Sequence, residues 1–251
     1  MTVAGAAMTV AGAAATTAGA GVTTTVAVGV TTTVAVGATT AGTPAVAAVT
    51  TRAATVDRSP ALISLFVHRG ITVRRTDAIH LARHATQLEA LYRRCFAEPP
   101  WRETAERLAG FRGRLTAHLG RAGFVGLVAV EEAGGERVSL VGAVYGWPAG
   151  PELASGTTFD DALAAAVPSA VAGRLVAPAL IVAELMVRPD RQRRGIGRAL
   201  LARFTAGWPS AWLCTHPDAP AAGMYRRDGW REEAAFVVEG CPMVLFTWRA
   251  R

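Results

Sequence analysis

From Ile71 onward the spacing of apolar residues changes several times, and each change marks an element. Ile71 to Arg74 reads as a short strand, and from Asp77 to Phe96 the residues Leu81, Leu88, Leu91, Tyr92 and Cys95 recur at helical intervals. Pro99, Pro100 and Trp101 break that helix, and Arg102 to Leu119 resumes an amphipathic pattern with Leu108, Phe111 and Leu115. Phe124 to Glu131 and Val138 to Trp147 then read as neighbouring antiparallel strands across the turn-rich Glu132 to Arg137. Pro148 to Pro178 is loop-like and Ala-rich, with a short helix expected near Asp160 to Val167 that Pro168 ends; we read this stretch as an insertion over a sheet. Ala179 to Val187 is a strongly apolar strand, and Arg191 to Trp208 a helix with Ile196, Leu200, Leu201 and Phe204 on its apolar side. Ala211 to Thr215, a helix from Ala219 to Arg227 and two closing strands complete the order β-α-α-β-β-β-α-β-α-β-β. Alternation of this kind implies a twisted α/β layer fold.

The segment before Ile71 follows no such pattern. Up to Thr51 it carries no charged residue and consists almost wholly of Ala, Thr, Val and Gly, with MTVAGAA at Met1 and again at Met8, and VTTTVAVG at Val22 and again at Val30. Tandem copies this short are not solenoid units. They lack the basic front and the Leu-rich or Phe-rich middle of a secretory signal, and Gly and Thr recur too often for a membrane span. Without large side chains the segment buries too little apolar area to offset chain entropy, so it is expected to be disordered, with a β-aggregation tendency from its Val/Thr alternation. The expected organisation is a low-complexity segment over 1–56, dispensable or lying outside the true start, followed by one domain over 57–251 that contains the insertion 148–178. A cytoplasmic location, with no membrane partner, is the default.

The net charge of +7 is carried by arginine alone, since the chain has no lysine. That absence excludes a P-loop and a pyridoxal Schiff base, both of which need a lysine. Arginine suits phosphate-bearing partners, whether a nucleotide cofactor or a nucleic acid, because its planar donors pair with two oxygens at once. Cys95, Cys214 and Cys241 are far apart and in no CxxC pair, so neither a disulfide framework nor a thiolate zinc site is indicated. His80 and His84 stand four apart without an HExxH glutamate, and no metal is expected.

The run ELMVRPDRQRRGIGRALL, Glu184 to Leu201, is a strand, a turn at Pro189 and Asp190, and a helix entered through a glycine-rich bend. A helix amino terminus with free N–H groups attracts phosphate. Gly195 and Gly197 let a diphosphate approach the backbone, and Arg191, Arg193, Arg194 and Arg198 surround it with positive charge. Four arginines in eight residues also describe a solvated helix face. A Rossmann reading fails because the third glycine and the ribose-binding acid are missing.

The segment resembles motif A of the GNAT superfamily of N-acetyltransferases, whose pattern Gln/Arg-x-x-Gly-x-Gly/Ala is met by Gln192, Gly195 and Gly197. Val187 and Pro189 before it and Gly197 to Leu201 after it fit the same motif. A second similarity lies in Asp218, Ala221, Tyr225, Gly229 and Trp230, where the family often shows Asn, Ala, Tyr and Gly-Phe/Trp at these intervals; here Asp218 replaces the asparagine. The insertion also departs from the family, which commonly joins these strands by a short turn.

The resemblance implies a mixed, mainly antiparallel twisted sheet flanked by helices, acetyl-CoA as donor, and transfer to a primary amine by direct attack in a ternary complex. Leu185, Met186 and Val187 would offer backbone groups to the pantetheine, and Gln192, Arg193, Arg194, Gly195, Ile196, Gly197 and Arg198 would wrap the pyrophosphate, with Asp218 beside the pantetheine arm. Glu184 stands where relatives often keep a carboxylate that works through water, Tyr225 where many keep the acid, and His216 is the reserve base. The oxyanion donor would be a backbone N–H near Val187. Each role has a plainer counterpart: Glu184 as a buried structural carboxylate, Tyr225 as a packing aromatic, Cys214 as a small core residue. The insertion, with Glu152, Asp160 and Asp161, is expected to edge the acceptor pocket and attract a cationic amine. The acceptor is a small-molecule or peptide amine, a homodimer is compatible, and no nucleic-acid-binding signature is present. The alternative is a non-catalytic acetyl-CoA-binding or nucleic-acid-binding module.

A chain beginning near Thr51 is expected to express better than the full chain and to keep its cooperative melting transition and its activity. Loss of either on calorimetry and assay would make the segment part of the domain.

Overall fold

The computed structural model describes residues 65–68, 70–132 and 138–250, so the expectation for 1–56 lies outside the described residues. Strands β1 (Leu65–His68) and β2 (Ile71–Thr76) open the domain, followed by α1 (Ala78–Ala82), α2 (Ala85–Phe96), α3 (Ala105–Ala109) and α4 (Phe111–Leu119). Strands β3 (Val125–Glu132) and β4 (Val138–Pro148) form the meander, and the insertion carries α5 (Thr158–Ala166) and α6 (Ser169–Ala172). Then come β5 (Leu180–Val187), a 3₁₀ turn at Pro189–Arg191, α7 (Ile196–Thr205), β6 (Ser210–Thr215), α8 (Pro220–Arg227), β7 (Arg231–Val238) and β8 (Cys241–Arg249).

The eight strands make one sheet in the order β1-β2-β3-β4-β5-β6-β8-β7. Every adjacent pair is antiparallel except β5 and β6. Both faces are covered. Leu81, Leu88, Tyr92, Phe111 and Leu115 from α1 to α4, with Phe159 and Leu163 of α5, pack on one side. Ile196, Leu200, Leu201 and Phe204 of α7, with Ala222 and Tyr225 of α8, pack on the other. The expected mixed, mainly antiparallel sheet flanked by helices is therefore present, with β1 as an additional edge strand that the apolar spacing did not reveal.

Two expected helices are each divided. The stretch from Asp77 breaks at Arg83 and His84, after Asp77 Oδ1 has accepted the His80 N–H at 2.8 Å and capped a short first helix. The stretch from Arg102 divides at Gly110, which ends α3 and precedes α4, whereas Gly113 is tolerated within α4. Within the insertion, the Val167 backbone turns extended before Pro168, which ends α5 as expected. The two ends of the insertion are pinned together by Ala149 N–H to Ala179 O and Ala177 N–H to Gly150 O, both 2.8 Å.

The register of β4 and β5 shifts at one point. Tyr145 faces Glu184 and Gly146 faces Val182, leaving Ala183 as an extra residue without a partner. Such a bulge bends and twists the strand that carries it. A side-chain carbon on Gly146 would overlap the Ile181 carbonyl oxygen, so the close approach of the two strands here requires glycine. Gly146→Ala is expected to destabilise the domain by about 1–3 kcal/mol, the usual cost of forcing extra volume into a packed site. Urea unfolding measures the effect, and an unchanged midpoint would contradict it.

Candidate functional site

Strands β5 and β6 are parallel neighbours only at their beginnings, through Leu180 opposite Ala211 and Ile181 opposite Trp212. The bulge at Ala183 follows immediately, and from there to Val187 and Thr215 the two strands run without pairing. Ligands of open α/β sheets sit beyond the carboxyl ends of parallel strands, and this separation opens such a place. A cavity of about 450 Å³ fills it. Val182, Leu185, Leu213 and Tyr225 line it from the α7–α8 face, and Ala183, Met186, Cys214 and Phe96 from the α2 face. It therefore crosses the sheet.

At one end the cavity meets the amino terminus of α7. Arg193 (φ 59°) and Gly195 (φ 78°) both adopt the left-handed conformation, which folds the loop tightly under the helix. Gly195 caps α7 without a side-chain hydrogen bond. The first-turn N–H groups are thus left for a ligand, with the helix dipole favouring an anion. Gly197 lies 3.6 Å from Val187 Cγ2, counted from where its side chain would begin. A larger residue than alanine there would enter the cavity.

The arginines of this segment divide between tasks. Arg191 pairs with Glu131 at 3.0 Å and with Asp190, which ties the 3₁₀ turn to the edge of β3. Arg198 pairs with Asp228 at 2.7 Å while still lining the cavity. Arg193 also lines it and forms no ion pair among the described residues, whereas Arg194 is exposed and does not line it. Arg227, from α8, adds a charge that sequence reading missed, although its place in the Arg226-Arg227 pair before Gly229 was a usable signal.

Of the remaining expected residues, Leu185, Met186, Val187, Gly195, Ile196 and Tyr225 all line the cavity. Gln192 lines it too, but its amide donates to the Val187 carbonyl at 3.0 Å, and the Cys95 thiol donates to the same oxygen at 3.3 Å. Asp218 does not line the cavity; its side chain is 82% exposed, and its N–H donates to His216 Nδ1 at 3.1 Å. His216 is buried with its ring edge-on to Trp101. In the sequence Cys95, Phe96 and Trp101 look like helix stripe and helix breaker; only the packing of α2 against β5 turns them into cavity wall.

The insertion does not edge this cavity. Asp160 is buried and exchanges hydrogen bonds with Thr157, its carboxylate accepting the hydroxyl at 2.7 Å and its N–H donating back at 3.0 Å, which caps α5. Asp161 accepts the Gly156 N–H at 3.4 Å, and α5 packs on β7 through Phe159 against Phe236. None of Glu152, Asp160 and Asp161 is among the lining residues. The acidic rim expected there is replaced by a helix cap, because α5 lies on the same face as α2 but over β7, at the end of the sheet order.

Glu184 lies beneath the cavity rather than in its wall, 2% exposed, with Oε2 unpartnered. Close by, Arg114 donates to the Tyr92 hydroxyl at 2.8 Å, and Tyr92 donates to Glu103 at 2.6 Å. Burial pushes the Glu184 carboxyl well above the usual carboxylate range; Arg114 opposes that and Glu103 adds to it. Glu103 is raised for the same first reason. The Tyr145 hydroxyl, opposite Glu184 in the sheet, is also buried and unpartnered, and burial pushes the neighbouring His118 imidazole down to about 4. Tyr225 is raised by burial and then by Glu184, and its hydroxyl has no hydrogen-bond partner among the described residues.

The raised Glu184 carboxyl carries a stability consequence. Between its unfolded value near 4.5 and its raised folded value, the folded state binds more protons, so this group's contribution falls as pH rises through that window. Glu184→Gln is therefore expected to unfold with a shallower pH dependence above pH ~4.5 and to exceed the parent in stability near pH ~8. Urea midpoints across that range decide it; parallel curves would place the carboxylate in a solvated setting.

Comparison with known proteins finds a family match over part of the chain. Residues 157–232, from the start of α5 to the first residues of β7, match the family model described as acetyltransferase (GNAT) domain. No curated protein matches the chain. Similar solved structures include an acetyltransferase from Thermus thermophilus, 16% identical over 74% of this chain and 100% of that one, with a TM-score of 0.48. They also include the PaiA N-acetyltransferase from Thermoplasma acidophilum in complex with coenzyme A (12% identity, 72% and 99% coverage, TM-score 0.46). A third is NAA60 from Arabidopsis thaliana in complex with acetyl-CoA (17%, 71% and 98%, 0.45).

Proposed function

We propose that this chain, whose residues 157–232 match the acetyltransferase (GNAT) domain model, is an acyltransferase of that superfamily and transfers the acetyl group of acetyl-CoA to a primary amine by direct attack in a ternary complex. The observation that carries this reading is the cavity between diverging β5 and β6, which has an anion-binding helix terminus at one end and passes through the sheet to the other. The residues present fit the donor. The open N–H groups at the start of α7, with Arg193 and Arg198, suit a diphosphate, and the edge of β5 from Leu185 to Val187, not paired with β6, suits the amide-bearing arm except at the Val187 carbonyl, which Gln192 and Cys95 already engage. Acetyl-CoA supplies a thioester whose carbonyl is attacked by the amine.

Around that reaction the chain's own groups have separable tasks. The unpaired stretch of β5 presents backbone N–H groups for the oxyanion. The Tyr225 hydroxyl, free of other partners among the described residues and kept protonated by its raised pKa, donates a proton to the leaving thiolate. Glu184, set back from the cavity, acts through water, and its raised pKa means that the carboxylate form is gained only as pH rises. Cys214, buried and with its thiol pushed well up, suits packing rather than acyl-enzyme formation.

Tyr225→Phe removes only the hydroxyl and is expected to lower kcat by about 10²–10⁴ while acetyl-CoA affinity and melting temperature hold. Gly197→Glu is expected to abolish acetyl-CoA binding by calorimetry in a folded protein. Full turnover in the first would remove Tyr225 from the mechanism, and undiminished binding in the second would reject the diphosphate placement.

A further inference from the structure

The two ends of the cavity differ in chemistry. Its charged lining residues are Arg193, Arg198 and Arg227, all cationic and all at the α7–α8 end. The α2 end is walled by Cys95, Phe96, Trp101, Met186 and Cys214. Among the described residues no carboxylate lines it. Of the buried acids, Glu103 accepts from the Tyr92 hydroxyl and Glu184 lies at the β5 bulge, and neither is among the lining residues. From this we infer that the acceptor is an amine on an uncharged apolar body, an arylalkylamine or a branched alkylamine, which enters on the α2 side and packs against Phe96 and Trp101.

The inference rests on the acetyl-transfer reading and names the substrate class of that site. Phe96 and Trp101 meet edge to face at 5.5 Å, and Trp101 meets His216 in the same way at 5.5 Å, so the wall is a braced aromatic surface. The Cys95 thiol, which could otherwise turn its hydrogen-bonding capacity inward, is occupied by the Val187 carbonyl. A polyamine or an aminoglycoside would bring several positive charges into an α2 end walled by apolar side chains, and no carboxylate among the lining residues is there to pair with them. An apolar wall instead favours the neutral form of an amine, which is the nucleophilic one.

The test uses the full chain with saturating acetyl-CoA and follows thiol release with phenylethylamine, isoamylamine, spermidine and kanamycin, after calorimetry has established acetyl-CoA binding. Phenylethylamine is expected to exceed spermidine and kanamycin in kcat/KM by about 100-fold or more. Trp101→Ala should raise the phenylethylamine KM about 10–100-fold with acetyl-CoA affinity unchanged. Cys95→Glu, which places a carboxylate in the wall, should move preference toward spermidine. Preference of the parent protein for spermidine or kanamycin overturns the inference, as does acetyl-CoA binding without turnover of either apolar amine, and both outcomes leave the donor assignment standing. Absence of acetyl-CoA binding overturns the donor assignment and this inference together.

Discussion

Everything that gives this domain a site follows from the failure of β5 and β6 to stay paired. Two register pairs join them, and then an extra residue at Ala183, accommodated by Gly146 on the opposite strand, bends β5 away. Parallel strands buried on both faces ordinarily keep their ladder, since unpaired backbone groups in an apolar interior cost as much as lost hydrogen bonds. Here the ladder is given up over the length in which both strands remain well packed on α7 and α2. The backbone groups left over form the lining of a cavity, and the cavity joins two faces that a continuous sheet would keep apart.

The polar groups around this opening are graded by depth. At the surface, arginines are paired with acids from distant elements, Arg191 with Glu131 and Arg198 with Asp228, so the loop before α7 is fixed in place by several modest interactions. Deeper, Tyr92, Glu103 and Arg114 form a chain of hydrogen bonds under α2 and α4, and Glu184 lies within reach of their field. Burying two carboxylates near one guanidinium is costly, and both respond by rising in pKa. The cavity itself holds arginines at one end and aromatic carbon at the other, which separates the end suited to phosphate from the end suited to an apolar partner.

Local pattern carried the outline of the fold far. The apolar run from Ala179 to Val187 made β5 readable almost to its ends, and the spacing of Ile196, Leu200, Leu201 and Phe204 made α7 readable as an element, although it runs from Ile196 to Thr205 rather than from Arg191 to Trp208. The breaks at Arg83–His84 and at Gly110 were not readable, because the apolar stripe continues across both and only cap hydrogen bonds interrupt the helices. Strand β1 was missed because it is a short edge element whose place depends on pairing with β2.

For the site, the sequence by itself determined the glycine-rich entry to α7 and the cluster of charge around it, because a helix start, glycine freedom and arginine spacing are local properties of adjacent residues. It also placed Tyr225 at a definite distance from Gly229, and that position faces the cavity. Which of these groups are free was decided only by the tertiary structure, which gave Arg198 to Asp228, the Gln192 amide to Val187 and the Asp160 carboxylate to Thr157. The same is true of Cys95, Phe96 and Trp101, whose helical spacing describes how α2 packs and says nothing of the gap between two strands far along the chain. Hydrogen-bond partners and cavity walls are set by elements remote in sequence, and their pairing exists only once the sheet is assembled.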